Sequence, residues 1–431
     1  MRVECVSSSQ VCSSGEAAVA VLVERAGVLA RVGGGGVLEC FAAIDDPRCR
    51  RGIRHSLPTI LGLCLAAVLA GRVSLTEITD WVSGADQELL GALGARRGRD
   101  GRCVAPHPDT VERVLGALGA QGVADQVGGY LGRRAGIEPV SFPIAGPVLM
   151  PAIAVDGKAM RGAIGPDGTM PYLLAAATHG QSVVIAERLV GAKTNEVPEF
   201  APLLRGLGVQ VGGAVFTMDA GHTVRAHARF LTEELLAHYV MTVKQNTKGL
   251  FDRLDALDWD SVPISHTTTD TGHGRSERRT IQVMDAPADL GFPHCAQVFL
   301  LERYTTRTIR KRAKRSRKYK TIRVKTAIAV LGITSLSARE AAPEHLAAYV
   351  RGHWAIENKI HWVRDVTFRE DASQVKTAAR PRLMATLRNL AIGLIRQAGH
   401  TKIAATIRKI HNNPHLLFTL LDLPQTPHNV P

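Results

Sequence analysis

The change of pattern near residue 147 constrains the fold of this chain more than any other feature. From there to about residue 246, apolar strand-like runs and helix-like runs follow in the order strand, strand, strand, helix, strand, helix, strand. Apolar strands that alternate with helices are typical of an α/β sheet covered by helices. The pattern therefore predicts an α/β core built on a mixed sheet.

Helical patterns precede this core. Residues 44–135 have apolar residues at helical spacing and no strand pattern, which predicts a helical accessory domain. Its longest uncharged run, Leu57 to Gly71, has fifteen residues. A bilayer span needs about 18 or more, so this run predicts a buried core helix, and we expect a soluble cytoplasmic protein. Residues 1–43 are rich in Gly and Ser and predict a flexible extension.

The α/β alternation stops between residues 251 and 337. Short strand-like pieces there predict a β-rich insertion that carries a basic segment. Helical patterns return from residue 338. The predicted core domain therefore comprises residues 147–250 and 338–400, followed by a C-terminal helix and tail at 401–431.

Positive charge is concentrated in the insertion. The chain has 53 Lys and Arg against 39 Asp and Glu, a net charge of +14. Twelve of the basic residues lie between Arg303 and Lys325 with no acid among them, so the rest of the chain is nearly neutral. Such a segment repels itself unless a polyanion binds it, with nucleic acid the first candidate and an anionic membrane surface the second. Alternatively, the basic segment is a solvent-exposed loop that binds no partner. The residues predicted to contact DNA phosphates here are Arg310, Lys311, Arg312, Lys314, Arg315, Arg317, Lys318 and Lys320.

Three acidic residues stand out by position. Asp156 and Asp219 each follow an apolar strand, and Glu357 lies within a late helix. Two carboxylates at the ends of neighbouring strands, joined by one from a packed helix, require cations to balance their charge. Mg²⁺ or Mn²⁺ suits such oxygen ligands, and two ions would clamp the attacking and leaving oxygens of a phosphoryl displacement. Taken singly, each acid could instead be a turn former or a helix cap.

The helix around Glu357 offers further candidates. His353, His361 and Arg364 fall on the same predicted face as Glu357 and could hold phosphates beside it. The spacing of four between His353, Glu357 and His361 also fits a zinc site, which stays open as an alternative.

Two tryptophans each follow one of these histidines. Trp354 and Trp362 could stack on an unpaired base at a DNA end. We nevertheless expect them to be buried core anchors, because large aromatic residues on amphipathic helices are usually buried.

Other basic residues close to the acids predict phosphate contacts. Lys158 and Arg161 follow Asp156, and Lys244 ends a strand. Arg275 begins an exposed basic segment after a turn. No P-loop, G-x-G-x-x-G or G-x-S-x-G motif occurs in the sequence, so nucleotide hydrolysis and acyl chemistry have no support.

Five segments resemble one known family, the H-repeat-associated insertion-sequence transposases. The HW-x-x-EN-x-x-HW block around Glu357 is the most distinctive of them, and the likeness covers about residues 44 to 400. The segments are AVDGKAMRGA at 154–163, FTMDAGHT at 216–223, VKQNTKGLFDRL at 243–254, GHGRSERRTIQV at 272–283 and RGHWAIENKIHWVRDVTFREDASQV at 351–375. The Tyr-Arg-Glu-Lys signature of broader related families is altered: Tyr349 and Arg351 stand at other spacings, and Arg364 replaces the Lys.

The resemblance implies a fold and a reaction. It implies a DDE-class enzyme with an RNase H-like mixed sheet flanked by helices, an N-terminal helical domain and a β-rich insertion before the last catalytic helix. The catalytic and metal-binding residues would be Asp156, Asp219 and Glu357, with a phosphate contact from Arg351. Two Mg²⁺ or Mn²⁺ ions would serve cleavage of double-stranded DNA at the terminal inverted repeats and attack of the freed 3′-hydroxyl on target DNA.

The reaction also sets expectations about partners and alternatives. Joining two element ends implies a homodimer on DNA, associated with the nucleoid, with no membrane partner. The helical N-terminal domain is the candidate for end recognition. Two other functions need the same residues and stay open: a nuclease that cuts without joining, and an inactive relic that only binds DNA.

Overall fold

A computed structural model describes most of the chain. The described residues are 36–137, 147–165, 167–191, 196–207, 211–272, 274–312, 319–377 and 379–424, without the side chains of 309–312 and 319–320. Most of the predicted N-terminal extension lies outside these residues. Its last part is folded, because Val37–Ala42 form a helix whose Val37 and Phe41 are buried. Residues 37–42 therefore do not belong to a flexible extension.

In the part of the chain that the structure describes, nine strands form one sheet. From edge to edge the order is β3-β2-β1-β4-β5-β9-β8-β7-β6. The strands are β1 (Ala152–Ala159), β2 (Tyr172–Thr178), β3 (Val184–Val190), β4 (Val215–Met218), β5 (His238–Val243), β6 (His266–Gly272), β7 (Arg275–Asp285), β8 (Gln297–Arg312) and β9 (Tyr319–Thr334).

The first five strands make the mixed α/β core that the sequence predicts. β1, β2 and β3 pair antiparallel, whereas β1, β4 and β5 pair parallel. The pairing of Val155 with Met218 aligns the ends of β1 and β4 at one edge of the sheet. The predicted RNase H-like fold class, a mixed sheet flanked by helices, is confirmed.

The β-rich insertion extends the sheet of the core. β9 pairs antiparallel with β5, and β8, β7 and β6 follow in turn. β8 and β9 form a long ribbon of sixteen residues in each strand, in continuous register from Gln297 opposite Thr334 to Arg312 opposite Tyr319. β7 pairs along the other side of β8 from Gln297 to Arg307. The basic segment thus lies largely within these strands, although Lys314, Arg315, Arg317 and Lys318 lie outside the described residues.

Helices from both ends of the chain share one hydrophobic core. The helix at Leu57–Leu69 is buried almost throughout, as predicted, and no helix in the described part of the chain is long and apolar enough to cross a membrane. The helices are α1 (Val37–Ala42), α2 (Leu57–Leu69), α3 (Leu75–Ser83), α4 (Gln87–Ala92), α5 (Pro108–Ala117), α6 (Ala120–Ala135), α7 (Val197–Arg205), α8 (Arg225–Arg229), α9 (Lys248–Asp255), α10 (Pro343–Ala355), α11 (Trp362–Val366), α12 (Arg380–Gln397), α13 (Ile403–Asn412) and α14 (Leu416–Leu420).

This helical layer packs closely on the sheet through β3. A Cβ at Gly128 of α6 would lie 2.3 Å from the carbonyl oxygen of Ile185, so only glycine permits this approach. Glu187 of β3 is buried and accepts hydrogen bonds from Thr386 and Asn389 of α12. Because a buried carboxylate is costly without such partners, these bonds fix the helical layer on the sheet.

Candidate active site

Asp156 lies inside β1, three residues before its end. The sequence predicts a strand that ends at this acid, but Gly157, Lys158 and Ala159 continue the pairing with β2. The ring of Tyr172 occupies the space beside Gly157, where a Cβ would lie 2.1 Å from the ring. The backbone beside Asp156 is therefore held tightly, and its side chain is 28% exposed.

Asp219 directly follows β4. Its Oδ1 accepts a hydrogen bond of 2.9 Å from the backbone N–H of Gly221, capping the short 3-10 turn Ala220–His222. Asp219 is therefore both the N-cap of this turn and a candidate catalytic residue. Because β1 and β4 are parallel neighbours, the backbone positions of Asp156 and Asp219 follow directly after the aligned pair Val155 and Met218.

Glu357 lies in a π-helical segment, Ile356–His361, between α10 and α11. The sequence predicts one continuous α-helix here. The structure instead has a π-helical turn between two α-helical segments, which changes the angular positions of the residues after it. Ile356 and Ile360 are buried against alanines of β1 and β2, whereas Glu357 is exposed. Single π-helical turns within helices often occur at functional sites.

The charges of neighbouring acids affect the pKa of Asp156. Burial raises the pKa of Asp156 to about 7, helped by the negative charges of Asp219, Glu196 and Glu357 and opposed by a hydrogen bond from Gly157. Each of these three carboxylates therefore disfavours the charged form of Asp156. A site with this surplus of negative charge favours a cation.

Glu196, just before α7, is an acid of this site that sequence reasoning missed. Its Oε2 lies 2.8 Å from Nε2 of the buried His222, and the Tyr172 hydroxyl donates to the same carboxylate. Burial alone would raise the pKa of Glu196, but these hydrogen bonds outweigh it and lower the pKa. One Glu before a helix is a weak sequence signal, because helix starts commonly carry acids.

Two imidazoles predicted to contact phosphate are instead directed into the protein. Nδ1 of His353 lies 3.2 Å from the Thr217 hydroxyl, which His179 also contacts at 2.8 Å. Nδ1 of His361 lies 3.5 Å from Oδ2 of Asp156. Burial lowers the pKa of His353 to about 4 and that of His361 to about 3, so both are neutral at pH 7.

The donor atoms fit a hard cation. In the described part of the chain, no three carboxylate, imidazole or thiolate groups converge closely enough to form a ready-made metal site. This holds for Asp156, Asp219 and Glu357 as well as for His353, Glu357 and His361, the alternative zinc set. The acids of the site present oxygen ligands and surplus negative charge, which suit Mg²⁺ or Mn²⁺. The assignment of Asp156, Asp219 and Glu357 as metal ligands stays a prediction.

Two side chains predicted to contact phosphate, Lys158 and Arg364, bind acidic residues of the protein instead. Lys158 is buried, and its Nζ lies 2.6 Å from Asp365. Arg364 is buried and forms two hydrogen bonds with Glu370, at 2.7 and 2.9 Å. The predicted role of Lys158 and Arg364 in DNA contact is wrong for this structure, because buried ion pairs hold both side chains.

The other predicted contacts lie at the surface. Arg161 is exposed and lies 3.7 Å from Asp371, and Lys244 is exposed directly after β5. Arg351 is ion-paired with Asp270 of β6, and Arg275 lies 3.5 Å from Glu277. Both arginines are about half exposed.

The two tryptophans beside the π-helical segment are exposed. Trp354 is 51% and Trp362 is 56% exposed, so the expectation that they anchor the core is wrong. Two large aromatic surfaces therefore flank Glu357 and face solvent.

Comparisons with known proteins agree with this geometry. Residues 149–394, more than half of the chain, match the model of the transposase DDE domain, and residues 38–130 match a domain described as DDE_Tnp_1-associated. The "Putative transposase YncI" of Escherichia coli O157:H7 is 24% identical over 380 residues, which cover 85% of this chain and 88% of the relative. The "H repeat-associated putative transposase YhhI" of Escherichia coli strain K12 is 24% identical over 374 residues, or 83% and 90% of the two chains.

The chain belongs to the transposases that carry a DDE domain. Among these, its relatives include an H repeat-associated transposase, so the resemblance seen in the sequence is confirmed.

The raised pKa of Asp156 predicts how the metal-free protein responds to pH. The folded form holds this proton up to about pH 7, whereas an unfolded Asp loses it near its ordinary value. Stability is therefore lost as pH rises from about 4 to 7. Asp156→Asn should raise the free energy of unfolding at pH 8 by about 2 kcal/mol, less than the full linkage because the side chain is partly exposed.

Urea unfolding of the metal-free proteins at pH 8 measures this effect. Asp260→Asn, at an exposed position outside the site, is the control and should change stability little. An Asp156→Asn protein no more stable than wild type at pH 8 would contradict the electrostatic account.

Proposed function

We propose that this protein cleaves DNA strands at insertion-sequence ends in a metal-dependent reaction and transfers the 3′-hydroxyl ends into target DNA. One observation supports the proposal most: parallel β1 and β4 place Asp156 and Asp219 at neighbouring backbone positions, and the π-helical segment that carries Glu357 packs on β1 in a transposase fold. Bound Mg²⁺ or Mn²⁺ would supply activation of the attacking oxygen and neutralisation of charge on the phosphate.

The chain's own residues hold the carboxylates for this reaction. The N–H of Gly221 orients Asp219, and the closely packed Tyr172 ring fixes the β1 backbone beside Asp156. Burial of Ile356 and Ile360 sets Glu357 over β1 and β2. Such rigid support matters, because positioning supplies much of the rate enhancement in phosphoryl transfer.

We propose that exposed side chains around the site bind the DNA. Arg161 follows β1 and Lys244 follows β5, and both are exposed, so both would contact phosphates. Trp354 and Trp362 offer flat apolar surfaces beside Glu357, suited to stacking on unpaired bases at a cut end. A homodimer would bring two element ends together.

The β8–β9 ribbon is the second proposed DNA-binding surface. Arg307, Arg323 and Lys325 are exposed on the ribbon, where each lies opposite an uncharged residue of the partner strand. Replacing these three by Gln should reduce the slope of log K against log salt concentration by about 0.9 for each phosphate that the ribbon then fails to neutralise. Binding of duplex DNA at several salt concentrations measures the slope.

A control shows whether position or only net charge matters. Arg205, Arg229 and Arg408 are exposed on helices outside the ribbon and outside residues 44–135, and replacing them by Gln removes the same charge. If the two triple variants show equal slopes, the ribbon does not bind phosphates.

The products of the reaction distinguish the three candidate functions. The substrate is a duplex with the inverted repeats and flanking DNA of the element's own locus, together with a target plasmid. A transposase gives 3′-cut ends and joined product in Mg²⁺, and a nuclease gives cut ends alone. Tight binding without any cutting would identify an inactive relic and would refute the proposal.

A further inference from the structure

The π turn that carries Glu357 interrupts the regular bonding of its helix. The N–H of Trp362 donates to the carbonyl of Glu357, five residues earlier, whereas the flanking helices α10 and α11 have the usual spacing of four. Where the spacing changes, backbone carbonyls need donors from elsewhere. Side chains that donate to these carbonyls therefore help to decide whether the turn is stable.

Two side chains donate to carbonyls at this turn. Nδ2 of Asn358 donates a 2.9 Å hydrogen bond to the carbonyl of Trp354, just before the turn. Nη2 of Arg396, in the last turn of α12, donates to the carbonyl of Lys359 within it. Asn358 is the Asn of the HW-x-x-EN block, and the proposed reaction gives that residue no other task.

Arg396 also binds the sheet. Its Nη1 donates to the carbonyl of Ser182, so one guanidinium group spans two backbone carbonyls. Ser182 is buried between β2 and β3 and has a left-handed backbone conformation, with φ 54°. Helix α12 is itself buried along most of its length. Arg396 thus connects the π turn to a buried turn of the sheet and to a buried helix.

The charge of Arg396 suits this role. Both of these partners are backbone carbonyls, whereas Arg364 and Arg388 bind the carboxylate of Glu370. Burial lowers the pKa of Arg396 to about 10, so the side chain is still charged at pH 7. A charged donor forms stronger hydrogen bonds to carbonyls than a neutral donor does, and these bonds offset the cost of desolvating the charge.

We propose that Arg396 and Asn358 are positioning residues that hold the π turn and thereby place Glu357 in the site. This inference rests on the proposed function, because the role of Glu357 belongs to it. Burial of Ile356 and Ile360 presses the turn onto β1 and β2. The two side-chain donors then fix the backbone of the turn between those contacts.

Amide hydrogen exchange of the metal-free protein without DNA tests the hold on the turn apart from activity. Arg396→Met keeps the apolar stem and removes the donors, so peptides that span residues 356–361 should exchange at least about 10-fold faster. Arg382→Met is the matched control. Arg382 is also half-buried on α12, but it donates to the side chain of Gln121 on α6. The control should leave exchange at 356–361 unchanged.

Cleavage of the element-end duplex tests the consequence for Glu357. Arg396→Met should lower the nicking rate about 10²-fold and raise the Mg²⁺ concentration needed for half the maximal rate about 10-fold, because a small displacement of a catalytic group is costly. Arg396→Lys keeps the charge and one donor group, so it should recover part of both losses. A residue that only stabilises the fold would lower the Tm without changing the Mg²⁺ requirement.

Asn358→Leu provides a second variant at an exposed position, where folding tolerates substitution. It removes the other side-chain donor and should change exchange, rate and Mg²⁺ requirement in the same direction as Arg396→Met, but less. The Tm of each variant shows whether it is folded, and Asn358→Leu and Arg396→Lys serve as the test if Arg396→Met does not fold.

The outcomes separate this inference from the proposed function. If wild type cuts DNA but the Arg396 and Asn358 variants exchange and cut like the Arg382→Met control, only the positioning role is refuted. Faster exchange with a wild-type rate and Mg²⁺ requirement also refutes it, because the turn would then loosen without affecting Glu357. If wild type does not cut at all, the proposed function fails and the positioning role fails with it, whatever the exchange shows.

Discussion

Asp219→Asn is expected to reduce DNA cleavage by at least about 10³-fold while the protein stays folded. The substitution removes the negative charge but keeps an oxygen at the same place. That oxygen can still accept the hydrogen bond from Gly221 that caps the turn, so the structural role of the residue is retained. The rate of nicking in Mg²⁺, measured beside the Tm, separates the catalytic role from the structural one.

Asp219→Ala provides the comparison. It removes both the charge and the cap, so it should lose activity equally and also lose about 1 kcal/mol of stability. A cleavage rate for Asp219→Asn within 10-fold of wild type would show that the charge of this residue is not required. The assignment of the acid after β4 would then be wrong.

Glu370→Gln should destabilise the fold by about 3–5 kcal/mol. Glu370 is buried between Arg364 and Arg388, with hydrogen bonds of 2.7 to 3.1 Å to both. Burial alone would raise the pKa of Glu370, but the two guanidinium groups outweigh it and lower the pKa to about 2. Replacing the carboxylate leaves two buried positive charges with only a neutral amide between them.

The pH dependence of this effect has a definite sign. Because the pKa of Glu370 is lowered on folding, its contribution is present above the ordinary pKa of a Glu and is lost as pH falls towards 2. Urea unfolding at pH 7 measures the full contribution. Glu234→Gln removes an exposed partner of Arg205 and should cost less than about 1 kcal/mol. Equal losses in the two variants would contradict a buried network.

The same network connects stability to function. Arg364 belongs to α11, which continues the π-helical segment carrying Glu357, whereas Arg388 belongs to α12 in the helical core. Glu370 therefore ties the helix that follows Glu357 to the helical layer. The sequence predicts a DNA contact for Arg364 because it lies close to Glu357 on the same predicted helix face. In the structure, this network gives Arg364 an internal partner, Glu370, six residues later.

The sequence predicts the core of the fold well because its strands are apolar throughout. The order of β1 to β5 and their helices follows from that pattern, and so does the position of Asp219 after β4. The pattern does not show where β1 ends, because Gly157 and Ala159 are compatible with either a strand or a turn. It also cannot show that β9 joins β5, since strand pairing depends on partners that are distant in the chain.

The parts of the site that the sequence does not predict depend on local geometry. The π turn at Ile356–His361 has no clear sequence signal, yet Glu357 lies at the surface within it, and the flanking Trp354 and Trp362 are exposed. Glu196 has no distinctive motif, and only the folded arrangement brings it to His222 and Tyr172.

The central claim is that the carboxylates of this site hold a divalent cation against the phosphate that is cut. A duplex with a single sulfur in place of a non-bridging oxygen at the scissile phosphate tests it most directly. Mg²⁺ binds sulfur poorly and Mn²⁺ binds it better, so we expect cleavage of the sulfur substrate to fail in Mg²⁺ and return in Mn²⁺. Equal cleavage of the sulfur and oxygen substrates in Mg²⁺, or cleavage that persists without any divalent cation, would contradict the claim.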